Sequence, residues 1–147
     1  MRVYVAHSFD GSNLAAGRLE NDPECLNFLN RLKQQNVEVI DPAASLIPRT
    51  LPGERFEYCL SAVASSDAVV VLARSRLGIG VGAEMMYAHM HNIRVYVVCP
   101  MDSYYRTLYE GESVIHSFVH GLSTGVFSTL DACAGAIENL VSSTVMP

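Results

Sequence analysis

The 147-residue chain has no tryptophan, and its ten Lys and Arg are outnumbered by fifteen Asp and Glu, for a net charge of −5. The basic residues are scattered and form no stripe, which argues against a nucleic-acid polymer as partner. No apolar run reaches the roughly 18 residues that a membrane span requires, so no membrane contact is expected. The opening MRVYVAHSFD is too short and too polar for a signal peptide and reads as a strand. C-x-x-C pairs are lacking: Cys25, Cys59, Cys99 and Cys133 stand far apart. No two His with a carboxylate show a metal-ligand spacing; His89 and His91 point to different faces of a helix. Reduced, mostly buried thiols, no metal and a cytoplasmic location are therefore expected. Internal repeats and low-complexity linkers are missing too. Residues 1–147 read as a single domain, and with half its residues hydrophobic the chain can bury a normal core.

What is present alternates between strand and helix signals. RVYVA at 2–6 runs into a polar segment, HSFDGSN at 7–13, placed where open parallel sheets make ligand contacts. The same segment also reads as a plain turn and helix cap. Asp22-Pro23 has the form of an N-cap followed by proline at the first helical position. The spacing of Cys25, Phe28, Leu29 and Leu32 predicts one buried helix face, with Asn36 as its stop. Residues 37–40 form a short strand. Residues 41–52, with Pro42, Pro48 and Pro52, are a loop that either covers a site or merely connects. Phe56, Leu60 and Val63 lie at helical spacing within 53–65. DAVVVLA at 67–73 and residues 93–99 read as strands buried on both faces. Residues 101–121 read as a short helix plus a loop, and Leu130, Ala134, Ile137 and Val141 mark a last amphipathic helix. This alternation predicts an α/β protein with a parallel sheet covered on both faces.

The chain is organised around LGIGVGAEMMYA at 77–88. Gly78, Gly80 and Gly82 let the backbone take positive φ and come close to a ligand. Their amides, with a helix N-terminus, can hold an anion or a polar group. G-x-G-x-G is neither the dinucleotide fingerprint nor a P-loop. With the helix starting near Gly82, Glu84 falls in its first turn, where the dipole and the amides keep it ionised. Either it only complements the dipole, or it attacks the anomeric carbon of a sugar through an oxocarbenium-like transition state. Tyr87 shares its helical face and either orients the carboxylate or packs. Asp67, at the entry of its strand, either protonates a leaving base or makes a turn contact.

Together, YVAHSFDG, SDAVVVL, LGIGVGAEMMYA and IHSFVHG resemble the nucleoside 2-deoxyribosyltransferase superfamily, nearest its branch of 2'-deoxynucleoside 5'-phosphate N-hydrolases and CMP hydrolases. The likeness runs from about Arg2 to Leu130. It implies a flavodoxin-like (Rossmann-like) three-layer sandwich with a mainly parallel five-stranded sheet, no cofactor, and a homodimer or larger assembly with shared active sites. It further implies a small-molecule nucleoside or nucleotide substrate. In it Glu84 attacks C1', Asp67 assists the leaving base, and Tyr4 stands for the family's early tyrosine. Ser8, Gly11 and Ser12 match its phosphate-binding loop. His116, Ser117 and Phe118 match the motif lent across the dimer interface. The transferases carry an aspartate where this chain has Gly78, so hydrolysis is expected over base exchange. A deoxyribosyltransferase, a non-catalytic nucleotide-binding module and an NAD-cleaving domain are the alternatives.

Overall fold

The structure, a computed structural model, describes residues 1–8, 17–48 and 50–145. Five parallel strands form one sheet: β1 (Arg2–Ala6), β2 (Glu38–Ile40), β3 (Ala68–Leu72), β4 (Arg94–Val98) and β7 (Gly125–Phe127), in the order β2-β1-β3-β4-β7. Two further strands, β5 (Arg106–Tyr109) and β6 (Glu112–Ile115), make an antiparallel hairpin outside it. The helices are α1 (Pro23–Gln34), α2 (Pro52–Ala64), α3 (Ile79–Met90), α4 (Ser117–Leu122) and α5 (Leu130–Val145). This is the expected α/β architecture with a mainly parallel five-stranded sheet.

Strand alternation divides the interior in two. Val3, Val5, Val70 and Val98 face one way and pack with Phe28 and Leu32 of α1 and Cys133, Ala134 and Ile137 of α5. Tyr4, Ala6, Val69, Val71 and Val97 face the other way, onto Val63 of α2, Val81 and Met85 of α3 and Val119 of α4. α1 and α3 thus leave neighbouring strands β1 and β3 toward opposite faces. That divergence opens a crevice at the carboxyl ends of the strands, where open α/β sheets bind ligands.

Local chemistry explains the boundaries. The Asp22 side chain accepts hydrogen bonds from the Glu24 and Cys25 amides, and Pro23 opens α1. Asn36 follows α1 at positive φ, as expected of its stop, and Asn92 follows α3 in the same conformation. All four cysteines are free, and three are buried. Among the described residues no helix is long and apolar enough to cross a membrane, and no group of side chains could hold a metal ion.

Two expectations need correction. Residues 101–121 are not a short helix plus a loop: the β5–β6 hairpin precedes α4, and its turn is Glu110-Gly111, both at positive φ. Two left-handed residues between two short alternating runs are hairpin chemistry. The helix after the glycines begins at Ile79, not near Gly82, with extended Gly78 as its N-cap. Gly80 and Gly82 are therefore ordinary helical residues, and none of the three glycines takes a positive φ. A Cβ added at Gly80 or Gly82 meets nothing within 4 Å. Gly80→Ala and Gly82→Ala should each raise unfolding free energy by about 0.5–1 kcal/mol in urea titrations.

Candidate active site

Glu84 lies five residues into α3, one and a half turns from its start, and no acidic residue occupies the first turn. The expected dipole support is thus absent, since that effect fades within one turn. The side chain instead turns inward, toward the sheet, and the residue is 8% exposed. There the Tyr4 hydroxyl donates a hydrogen bond of 2.8 Å to Glu84 Oε1. Tyr4 reaches it because alternation along β1 sends its ring to the α2–α3 face, where it is fully buried.

Burial pushes the Glu84 carboxyl above its usual range; the Tyr4 hydroxyl, the His7 charge and the Cys59 thiol pull it back down. The expectation that helix amides hold it ionised gives way to this balance of burial against three neighbours. Burial, then the charge of Glu84, raises the Tyr4 phenol far above its ordinary value, so Tyr4 remains a donor. Cys59, from α2, lies close enough to feel both: burial raises its thiol, the Tyr4 hydroxyl lowers it and the Glu84 charge raises it. A buried carboxylate whose close partner is a neutral phenol, not an ammonium or guanidinium, keeps its charge for another group.

Above this cluster the chain turns at the end of β1. Ser8 Oγ accepts from the Gly78 amide at 2.8 Å, tying the β1 exit to the start of α3. His7 Nε2 lies 2.7 Å from Asp41 Oδ1, and both side chains are nearly buried. The Asp41 oxygens also accept from the Leu19 and Ala43 amides, each at 2.9 Å. Burial works against the Asp41 charge, yet the His7 bond and the two amides hold its carboxyl below the ordinary value. His7 and Ser8 line a crevice of about 470 Å³ with Arg18, Asp22, Cys25 and Arg74. Arg74 is ion-paired there with Asp22 at 3.1 Å. A second crevice of about 590 Å³ lies between α1 and α5; its Arg31 is bound to Glu138 and Asp131.

The structure brings Tyr4 together with Glu84, and Ser8 with Gly78. Gly80 and Gly82 are exposed on the outer side of α3. Tyr87 stacks on His91 with ring centroids 4.0 Å apart, and the hydroxyl that meets Glu84 is that of Tyr4. Asp67 is not brought to the cluster. It is exposed at the amino end of β3, where its carboxylate accepts from the Arg2 amide at 2.7 Å. The five-residue strand β3 separates it from the carboxyl edge by about 16 Å. Gly11 and Ser12 lie outside the described residues. His116 caps α4 by accepting from the Phe118 amide; His116, Ser117 and Phe118 are all exposed. Tyr105, whose ring meets His116 edge-on, accepts from the Leu77 amide at 2.8 Å, which places this motif beside the glycine segment.

His7, Asp41 and Cys59 were missed in the sequence. Asp41-Pro42 carried a signal, repeating the cap-then-proline form of Asp22-Pro23, and its side chain does cap the 3-10 turn at Pro42–Ala44. Cys59 carried none.

The class defined by fold and site is an open parallel α/β sheet with a buried acid on α3 that a strand tyrosine hydrogen-bonds. Solved structures share this fold, two of them as follows. A conserved protein from Enterococcus faecalis V583 superposes with a TM-score of 0.63 at 14% identity, over 95% of this chain and 98% of its own. The CMP N-glycosidase BcmB of Clostridium botulinum superposes with a TM-score of 0.59 at 12% identity, over 94% and 99%. No protein-family model and no curated protein matches the sequence.

Proposed function

We propose that the chain cleaves the N-glycosidic bond of a nucleoside or nucleoside 5'-monophosphate, with Glu84 as nucleophile. The observation that carries this reading is the buried Tyr4–Glu84 hydrogen bond. It fixes one carboxylate oxygen and leaves the carboxylate's charge available to an electron-poor carbon. Glu84 attacks C1', the C1'–N bond breaks, and the base departs with a proton taken up from the site or solvent. Water then attacks C1' of the glutamyl ester, releasing the sugar and restoring the carboxylate. The shared fold of an enzyme described as a CMP N-glycosidase supports the reading. Ser8 and the start of α3 at Gly78 form the rim on which the sugar or its phosphate rests, and Gly80 and Gly82 follow on α3. The exposed His116, Ser117 and Phe118 close the pocket of a second copy in a homodimer.

The test is incubation with a panel of nucleosides and 5'-monophosphates, followed by chromatography of the free base. Release of base and sugar in equal amounts is expected from at least one member. Binding without release would make the chain a nucleotide-binding module, exchange of one base for another a transferase. Nicotinamide freed from NAD alone would move the substrate class.

A further inference from the structure

The crevice of about 470 Å³ holds a cation that the reaction above does not use. It lies at the carboxyl ends of β1 and β3, lined by His7 and Ser8 after the first strand and by Leu72, Arg74 and Ser75 at the end of the second. Leu19 and Cys25, which also line it, belong to the core between the sheet and α1. Tyr4 belongs to the opposite core, and Glu84 is bonded to it there.

The charges of the crevice do not balance. Among the described residues that line it, two guanidiniums, Arg18 and Arg74, stand against one carboxylate, Asp22, in a chain of net charge −5. His7 is taken up by Asp41. Asp22 is engaged twice over: Oδ1 accepts from the Glu24 and Cys25 amides, and Oδ2 meets Arg74 Nη2 at 3.1 Å. Arg18 is held far more loosely. Its ion partner Glu20 is exposed and 3.7 Å away, and its Nε is buried without a hydrogen-bond partner. A buried N–H without an acceptor is costly, and an acceptor brought to Arg18 relieves that cost. The backbone that carries this guanidinium is fixed, because the next amide, that of Leu19, donates to Asp41.

We propose that this crevice binds a phosphoryl oxyanion between Arg18 and Arg74. Arg18 turns Nε and one Nη onto two oxygens of the group, a fork that a guanidinium offers and an ammonium does not. Arg74 adds its charge from the other side. Ser8 Oγ accepts from the Gly78 amide and keeps its own proton to donate. Arg74 also lines the crevice of about 590 Å³ between α1 and α5, where Phe28, Val98 and Leu130 offer apolar surface to the body of a phosphate ester. Neither arginine lies in the four segments that resemble the deoxyribosyltransferase superfamily, and the site does not depend on Glu84 as nucleophile.

Inorganic phosphate, ribose 5-phosphate and a nucleoside 5'-monophosphate are titrated into ¹⁵N-labelled protein at constant ionic strength, with the arginine Nε–H signals recorded. The Arg18 signal should shift saturably with each. Affinity for phosphate should fall at least about tenfold in Arg18→Gln and less in Arg18→Lys. Arg94→Gln, the same charge change at the amino end of β4, should leave it unaltered. Arg74→Gln serves where Arg18→Gln does not fold. Equal affinity for the three makes the phosphoryl group alone the ligand; a tighter monophosphate, with shifts that reach Phe28 and Val98, adds its base. No saturable binding to the wild type, an unchanged affinity in Arg18→Gln, or an equal loss in Arg94→Gln would overturn the proposal. Base release does not enter the test, so its outcome stands apart from that of the nucleophile reading.

Discussion

Glu84→Gln is expected to lower base release by at least about a thousandfold, about 4 kcal/mol of barrier, because the amide cannot form the glycosyl ester. The same change should leave thermal stability at neutral pH unaltered or higher. Burial raises the Glu84 carboxyl above its unfolded value. Between those two values the native state binds more protons than the unfolded one, so stability falls as pH rises through that window. Above that window the wild type carries the cost of burying the charge, and glutamine, uncharged and nearly isosteric, does not. Loss of activity with a retained or raised Tm separates a chemical role from a structural one. A Tm that drops sharply would mean the carboxylate is a structural acceptor.

Tyr4→Phe should have the second largest effect. The ring stays and the core keeps its volume, but Glu84 loses a charge-assisted hydrogen bond worth roughly 1.5–3 kcal/mol. With tenfold for every 1.4 kcal/mol, kcat/KM falls roughly 10- to 100-fold. The direction of the pH response is fixed as well. Removing a donor to the charged form raises the carboxyl further, so the acid limb of kcat/KM moves to higher pH and part of the rate returns on raising the pH. A uniform loss at every pH would mean that the hydroxyl touches substrate and does not tune Glu84.

The sequence showed the fold where apolar runs were long. AVVVL and RVYVV could be little else than strands buried on both faces, and each ends at a turn. The edge strand Gly125–Phe127 has only three residues, too few for a period, and it is in place because it pairs with Tyr96–Val98. The hairpin was legible in Glu110-Gly111 but was masked by the aromatic residues around it. Glu84 stood out as the lone acid after the glycines; its depth in the helix did not, because nothing in G-x-G-x-G says that Gly80 and Gly82 are helical. Asp67 shows how a position decides a role. A residue at the entry of a parallel strand lies at the opposite edge from the ligand crevice. His7 and Asp41 meet across 34 residues of sequence. Their pairing follows from the neighbouring parallel strands β1 and β2, a tertiary fact that no local pattern carries.

The most direct measurement is a trapping experiment. The protein is incubated with a 2'-fluoro-substituted nucleoside 5'-monophosphate, whose fluorine slows breakdown of the glycosyl ester, and the intact mass and peptide map are recorded. The account predicts one added sugar phosphate per chain on the peptide that carries Glu84, with base released in equal amount and no adduct in Glu84→Gln. Base release with the adduct on another residue, or at the wild-type rate in Glu84→Gln, would contradict it.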